Sequence, residues 1–145
     1  MHTVVLPVVR GAAPPRRLAP ARAGLGCDQP PTYLRAIVTA RCPLSCTYCH
    51  MEGDPAGATA QGGLPREELV QLLRVGVESG VRKLKLLGGD PLARADLPEI
   101  VQAVRATSAD LDISVITAGV FRPERVDALY AAGLSRCNVS IHGWT

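Results

Sequence analysis

The sequence predicts an α/β fold built around a parallel sheet. From residue 33 onward, apolar strand-like runs alternate with segments of helical periodicity, and glycine or proline residues separate them. Strands that alternate with helices of this length are normally joined by right-handed β-α-β crossovers. The polar motifs of the chain follow these runs, at the carboxyl ends of strands, where parallel sheets bind ligands.

Four strands are predicted, at residues 34–40, 83–87, 111–116 and 137–141. The first leads directly into a loop with three cysteines, and the second ends at a pair of glycines. No helix follows the fourth strand, which leaves a bare parallel edge. We therefore expect the chain to be the amino-terminal part of a larger barrel, either truncated or completed by another chain.

Three helices are predicted between these strands. The first begins at Pro65, which suits a first helical position, and stops at Gly80. The second begins near Asp96, and the third covers residues 123–132 and stops at Gly133. Apolar residues recur at helical spacing within the first helix, at Leu69, Leu72, Leu73 and Val77.

Composition limits the classes of function. A chain of 145 residues with 47% apolar and 20% charged residues is ordinary for one globular domain. A net charge of +3 does not indicate nucleic acid or a membrane surface as a partner. No apolar run approaches the length of about 20 residues that spans a bilayer. We expect residues 1–32 to be a poorly ordered Pro/Ala/Arg-rich leader and residues 33–145 to be the core, incomplete after its fourth strand.

The most informative residues are Cys42, Cys46 and Cys49 in the loop after the first strand. Clustered cysteines in a chain without a secretory signal indicate metal or redox chemistry in a reducing compartment, so we expect a cytoplasmic protein. Three thiolates on one loop can hold three irons of a four-iron, four-sulfur cluster. The fourth iron is then open, unlike in electron carriers, which supply a fourth cysteine nearby.

Two other metal sites compete with this interpretation. A structural zinc site could use the three loop cysteines with His50 or Cys27. Residues 46–50 also spell Cys-x-x-Cys-His, the c-type haem attachment motif. Structural zinc usually needs paired knuckles, and haem attachment leaves Cys42 and the glycine segment unexplained. Cys27 and Cys137 are interpreted as plain small residues.

The motifs resemble those of the radical S-adenosylmethionine (SAM) superfamily. Its signature, Cys-x3-Cys-x-aromatic-Cys after the first barrel strand, is matched by Cys42, Cys46, Tyr48 and Cys49. Its Gly-Gly-Glu-Pro segment after the second strand is matched by Gly88, Gly89, Asp90 and Pro91. The nearest subgroup is the GTP 3′,8-cyclases of molybdenum cofactor biosynthesis. The resemblance implies a partial parallel (β/α)6 barrel, of which this chain holds about four βα units.

The resemblance also implies a division of labour. The three cysteines would hold a [4Fe-4S] cluster whose open iron chelates S-adenosyl-L-methionine. Tyr48 would lie against its adenine, Gly88, Gly89 and Asp90 would meet its methionine end, and Thr117 and Ser140 would complete the contacts. One electron, from a donor such as flavodoxin or ferredoxin, would release a 5′-deoxyadenosyl radical. This radical would abstract hydrogen from a small-molecule or peptide substrate.

Departures from the cyclase pattern favour a substrate other than GTP. Asp90 replaces the usual glutamate, and Thr117 is followed by alanine where the cyclases have asparagine. Lys85 stands where an arginine grips the nucleotide, and lysine cannot form the same bidentate fork. Arg35 matches the cyclases' strand-one arginine, and with Lys85 it is a candidate substrate contact.

Alternatives remain open. GTP cyclase activity is one, and a non-catalytic remnant or zinc-binding module is another. Arg35 and Lys85 are equally compatible with solvated strand faces or ion pairs, and Ser140 with a hydrogen bond to local backbone.

Overall fold

The computed structural model describes residues 30–49 and 63–141. The predicted leader up to residue 29, Cys27, His50 and the last four residues lie outside them. The α/β fold is confirmed, with four parallel strands and alternating helices. The elements are β1 (Tyr33–Thr39), α1 (Arg66–Glu78), β2 (Lys83–Gly88), a 3-10 turn (Pro91–Ala93), α2 (Leu97–Arg105), β3 (Asp112–Thr117), α3 (Pro123–Ala131) and β4 (Arg136–Val139).

The strands lie side by side in chain order, β1-β2-β3-β4, and every pair is parallel. All four carboxyl ends therefore meet at one edge of the sheet. The register shifts between Ile37 and Thr39, so that Gly88 at the end of β2 pairs with Thr39. This irregularity stands immediately before the cysteine loop and brings the loops after β1 and β2 together.

One hydrophobic cluster joins the helices to the sheet. Helix α1 contributes Leu69, Leu73 and Val77, which recur every fourth residue and so share one face. Leu72 shares the helical spacing predicted for α1 but lies outside this buried face, because it is rotated about 100° from Leu73 and is 40% exposed. The strands bury alternate side chains, such as Leu84 and Leu86, against this cluster.

Element boundaries lie within one or two residues of the predicted ones. The largest difference is at β4, which ends at Val139 and not at Ile141. The amide of Ser140 still donates to the Thr117 carbonyl at 2.8 Å, but β3 itself ends at Thr117 and offers no further partner. Among the described residues, no helix is both long and apolar enough to cross a membrane.

Candidate functional site at the carboxyl edge of the sheet

The cysteine loop leaves β1 at this edge. Cys42 and Cys46 are half-buried, Cys49 is exposed, and all three are free thiols. A turn closes the loop, in which the Cys49 amide donates to the Cys46 carbonyl at 3.0 Å. In the described part of the chain, no three side chains of His, Cys, Asp or Glu are already gathered closely enough to hold a metal ion. The donor set nevertheless suits an iron–sulfur cluster, because three accessible thiols follow one another on a single short loop.

Tyr48 lies beside these thiols. Its side chain hydrogen-bonds with Cys46, and this bond, with smaller contributions from burial and from the charges of Cys46 and Cys49, raises the pKa of Tyr48 above its usual range. The side chain is still 58% exposed. The aromatic residue of the motif is thus held at the cysteines with its ring open to solvent, and its predicted contact with adenine stays a prediction.

Gly88 and Gly89 let the loop after β2 pass directly under the cysteine loop. The Gly89 amide donates to the Thr39 carbonyl at 2.9 Å. A Cβ on Gly88 would lie 2.1 Å from that carbonyl oxygen, and a Cβ on Gly89 would lie 2.4 Å from the Arg41 carbonyl oxygen. Real Cβ contacts are never so short, so both positions require glycine for the meeting of two protein backbones, before any ligand is considered.

Asp90 is buried, with 1% of its surface exposed. Its Oδ1 accepts from the Leu92 amide at 3.0 Å. Its Oδ2 accepts from the Thr117 hydroxyl and from the Ala118 amide, each at 2.8 Å. Thr117 is 3% exposed, and its hydroxyl oxygen also accepts from the Gly119 amide at 3.1 Å. The carboxylate and the hydroxyl that the resemblance assigns to the cofactor are thus engaged with protein groups.

Part of this arrangement has a local sequence signal. An aspartate before Pro-Leu at the start of a helical turn commonly accepts from the amide two residues on, as Asp90 does from Leu92. The bonds to Thr117 and Ala118 span 27 and 28 residues, and nothing in the spacing of the sequence announces them. Sequence reasoning therefore missed the link between the loops after β2 and β3.

The two remaining predictions at this edge concern Ser140 and Cys137. Ser140 is half-buried, and the hydrogen bond from its backbone amide to the Thr117 carbonyl places it next to the Asp90–Thr117 pair. Cys137 packs against the hydrophobic cluster, and burial, followed by the negative charge of Asp90, raises the pKa of its thiol. A packed thiol that resists ionisation suits the small-residue interpretation of Cys137.

Arg35 and Lys85 are neighbours in the register of β1 and β2, and Ser114 of β3 follows in the same row. Side chains alternate along a strand, so Lys85 projects from the face opposite Leu84. Arg35 is exposed and Lys85 is half-buried. Among the described residues, the ion pairs found do not include either cation. This open face therefore presents two adjacent positive charges.

A cavity of about 580 Å³ lies on the same side of the sheet, beside the amino-terminal ends of α2 and α3. It is lined by Pro98, Val120, Phe121, Arg122, Glu124, Arg125 and Ala128, and none of the predicted site residues is among them. Because its lining includes no cysteine and no described residue of the loop after β1, we place the functional site at the cysteine loop and not in this cavity.

Comparison with known proteins identifies the family. The sequence model of the radical SAM superfamily matches residues 36–145. A relative from Metallosphaera sedula, named "Probable GTP 3′,8-cyclase", is 42% identical over 77% of this chain and 34% of its own length. A relative from Paenarthrobacter nicotinovorans, named "GTP 3′,8-cyclase", is 39% identical over 84% of this chain and 36% of its own.

A third relative, from Aquifex aeolicus and named "GTP 3′,8-cyclase", is 38% identical over 79% of this chain. The chain spans about a third of the length of these curated relatives. The superfamily match covers well over half of the 145 residues, and it includes the cysteine loop and the Gly-Gly-Asp segment. The chain therefore belongs to the radical SAM superfamily.

Proposed function

We propose that the chain is the cluster-binding part of a radical SAM enzyme. Cys42, Cys46 and Cys49 would hold a [4Fe-4S] cluster, and the open iron would bind S-adenosylmethionine. The observation that carries the proposal is the free thiols of one loop, locked by backbone hydrogen bonds to the glycine segment beneath it. When bound, the cluster and S-adenosylmethionine supply, after one-electron reduction, a carbon radical that removes hydrogen from the substrate.

The chain's own residues bind and orient. Tyr48, exposed beside Cys46, offers a ring on which an adenine could stack. Gly88 and Gly89 let the loop after β2 pack directly against the backbone of the cysteine loop, and the methionine end would lie beside this junction. Ser140 at the neighbouring strand end offers a hydroxyl to the same ligand. The electron would come from a partner such as flavodoxin or ferredoxin, in a reducing compartment that keeps the thiols free.

The proposed substrate is a small molecule or peptide that meets the open face of the sheet. Arg35 and Lys85 give this face two adjacent cations, which suit an anionic group on the substrate. Lysine binds such a group as a point charge and not through a bidentate fork. The pair therefore favours an anion without fixing its geometry.

The metal that the loop selects tests the proposal against a zinc-binding module. The metal-free chain is offered iron and sulfide, or zinc, under anaerobic conditions, and bound metal and acid-labile sulfide are measured after desalting. We expect iron and sulfide in equal amounts and a brown protein with charge-transfer absorption. Uptake of zinc, with no sulfide-containing species under any loading condition, would make the loop a structural zinc site.

GTP 3′,8-cyclase activity is the second candidate. It is favoured by the names of the relatives and by the two cations next to each other on the open face. If it is correct, the cluster-loaded chain should bind GTP more tightly than guanosine. Lys85→Met should then weaken GTP binding by about tenfold, the value of one charge-assisted hydrogen bond.

The matched control for this variant is Arg66→Met, which removes an exposed cation from α1, away from the open face. It should leave GTP binding unchanged. Equal binding of GTP and guanosine, or no dependence on Lys85, would exclude a nucleotide triphosphate at this face and leave a different substrate of the radical enzyme.

A further inference from the structure

We propose that Asp90 is a positioning residue that sets the spacing between the cysteine loop and the loop after β3. Its backbone is bound to the first of these loops and its carboxylate to the second. The inference deepens the proposed function, because the spacing matters for a cofactor held between the two loops. It assigns the carboxylate to the protein interior and not to the cofactor.

The backbone half of this link is short and direct. The Asp90 amide donates to the Arg41 carbonyl at 2.7 Å, one residue before Cys42. The Gly89 amide makes the parallel bond to the Thr39 carbonyl. Two successive amides thus fix the entry of the cysteine loop, so a displacement of Asp90 is passed to Cys42 through one carbonyl.

The side-chain half requires an acceptor with no donor of its own. Three donors converge on the carboxylate: the amides of Leu92 and Ala118 and the hydroxyl of Thr117. A carboxylate accepts all three, whereas the amide of asparagine would turn its NH2 group toward one of the backbone amides. Asparagine has the same shape, so the mismatch isolates hydrogen bonding from packing.

The length of the Asp90 side chain is as constrained as its hydrogen bonding. Asp90 is 1% exposed and sits between two loops that are each anchored to a strand. A glutamate, one methylene longer, would have to push the loop after β3 away or turn aside, and overpacking of buried sites is destabilising.

The first test measures amide hydrogen exchange by mass spectrometry on the metal-free 145-residue chain, which makes it independent of cluster loading. Asp90→Asn should accelerate exchange in peptides covering either Leu92 or residues 117–119 by about tenfold or more, because its NH2 group leaves one backbone amide without an acceptor. Thr117→Val should do the same at residues 117–119, because the Gly119 amide loses the hydroxyl that accepts from it. Thr117→Ser, which keeps the hydroxyl, should restore protection. Asp127→Asn, on the exposed surface of α3, is the matched control and should change nothing.

The second test asks whether the spacing matters to the cofactor. In cluster-loaded chains with equal iron content, the change that S-adenosylmethionine causes in the electron paramagnetic resonance spectrum should differ in Thr117→Val and return in Thr117→Ser. Asp90→Glu should alter both this spectrum and the exchange at residues 117–119. If Asp90→Asn does not fold, the threonine pair alone decides.

Two results would overturn the proposal. One is unchanged exchange at both Leu92 and residues 117–119 in Asp90→Asn, together with unchanged exchange at residues 117–119 in Thr117→Val. The other is an Asp90→Glu chain that binds S-adenosylmethionine more tightly with unchanged exchange, since that carboxylate would then reach the cofactor. A wild-type chain that loads no cluster would instead contradict the proposed function, while the exchange result would stand.

Discussion

Replacing Cys46 with alanine is expected to abolish cluster assembly. Cys46 is the middle thiol of the loop, and the turn bond from the Cys49 amide ends on its carbonyl. Without its sulfur, two thiols would remain for a cluster that needs three protein ligands. Changes to residues that only support metal ligands lower metal affinity roughly 10–100-fold. Loss of a ligand itself should cost more, so we expect iron and sulfide content to fall to background. Iron and acid-labile sulfide, measured after anaerobic reconstitution, check this.

The matched control is Cys137→Ala, which removes a thiol packed in the sheet. It should retain the cluster. The free energy of unfolding of the metal-free Cys46→Ala chain should lie within about 0.5 kcal/mol of wild type, because the side chain is half-buried on a loop outside the core. Wild-type iron content in Cys46→Ala, or loss of iron in Cys137→Ala, would contradict the assignment of the cluster to the three loop cysteines.

Replacing Gly88 with alanine is expected to damage the fold and the site together. Its φ of +146° is disfavoured for a side chain, and the added Cβ would lie 2.1 Å from the Thr39 carbonyl oxygen. Backbone strain and overpacking together should cost about 3 kcal/mol or more. The melting temperature of the metal-free chain, followed by circular dichroism, should fall by roughly 10 °C or more. Iron loading should fall with it, since the clash is with Thr39, the last residue of β1 before the cysteine loop.

Gly76→Ala is the control for this substitution. Gly76 lies inside α1, where a Cβ would come 3.0 Å from the flexible end of Leu34. The gain in helix propensity should offset this contact, so stability should stay within about 1 kcal/mol of wild type. If Gly88→Ala were as stable and as well loaded as Gly76→Ala, the loops after β1 and β2 could not cross as closely as they do here.

The strands and helices were predictable because each buries one regular face. Leu69, Leu73 and Val77 repeat at the helical period, and the lysines of β2 alternate with buried leucines. The sequence pattern is less informative where burial or strand length depends on neighbouring elements. Leu72 is apolar but faces solvent, and β4 ends at Val139 because its neighbour β3 has ended.

The location of the candidate site could be predicted from the sequence, but most of the contacts within it could not. Parallel topology brings the cysteine loop, the glycines and Ser140 to one edge, and this follows from element order alone. The sequence cannot show that Gly88 and Gly89 accommodate protein backbone, or that Asp90 reaches Thr117. These contacts depend on how loops far apart in the chain cross, and differences of a few tenths of an ångström decide whether they form.

The most direct test of a four-iron cluster with an open iron is electron paramagnetic resonance of the anaerobically reconstituted, dithionite-reduced chain, with and without S-adenosylmethionine. We expect a reduced four-iron signal that shifts when S-adenosylmethionine is added, because an iron without a protein ligand binds it. A four-iron signal that is unchanged by saturating S-adenosylmethionine would contradict the open iron. A chain that gives no iron–sulfur signal would contradict the cluster itself.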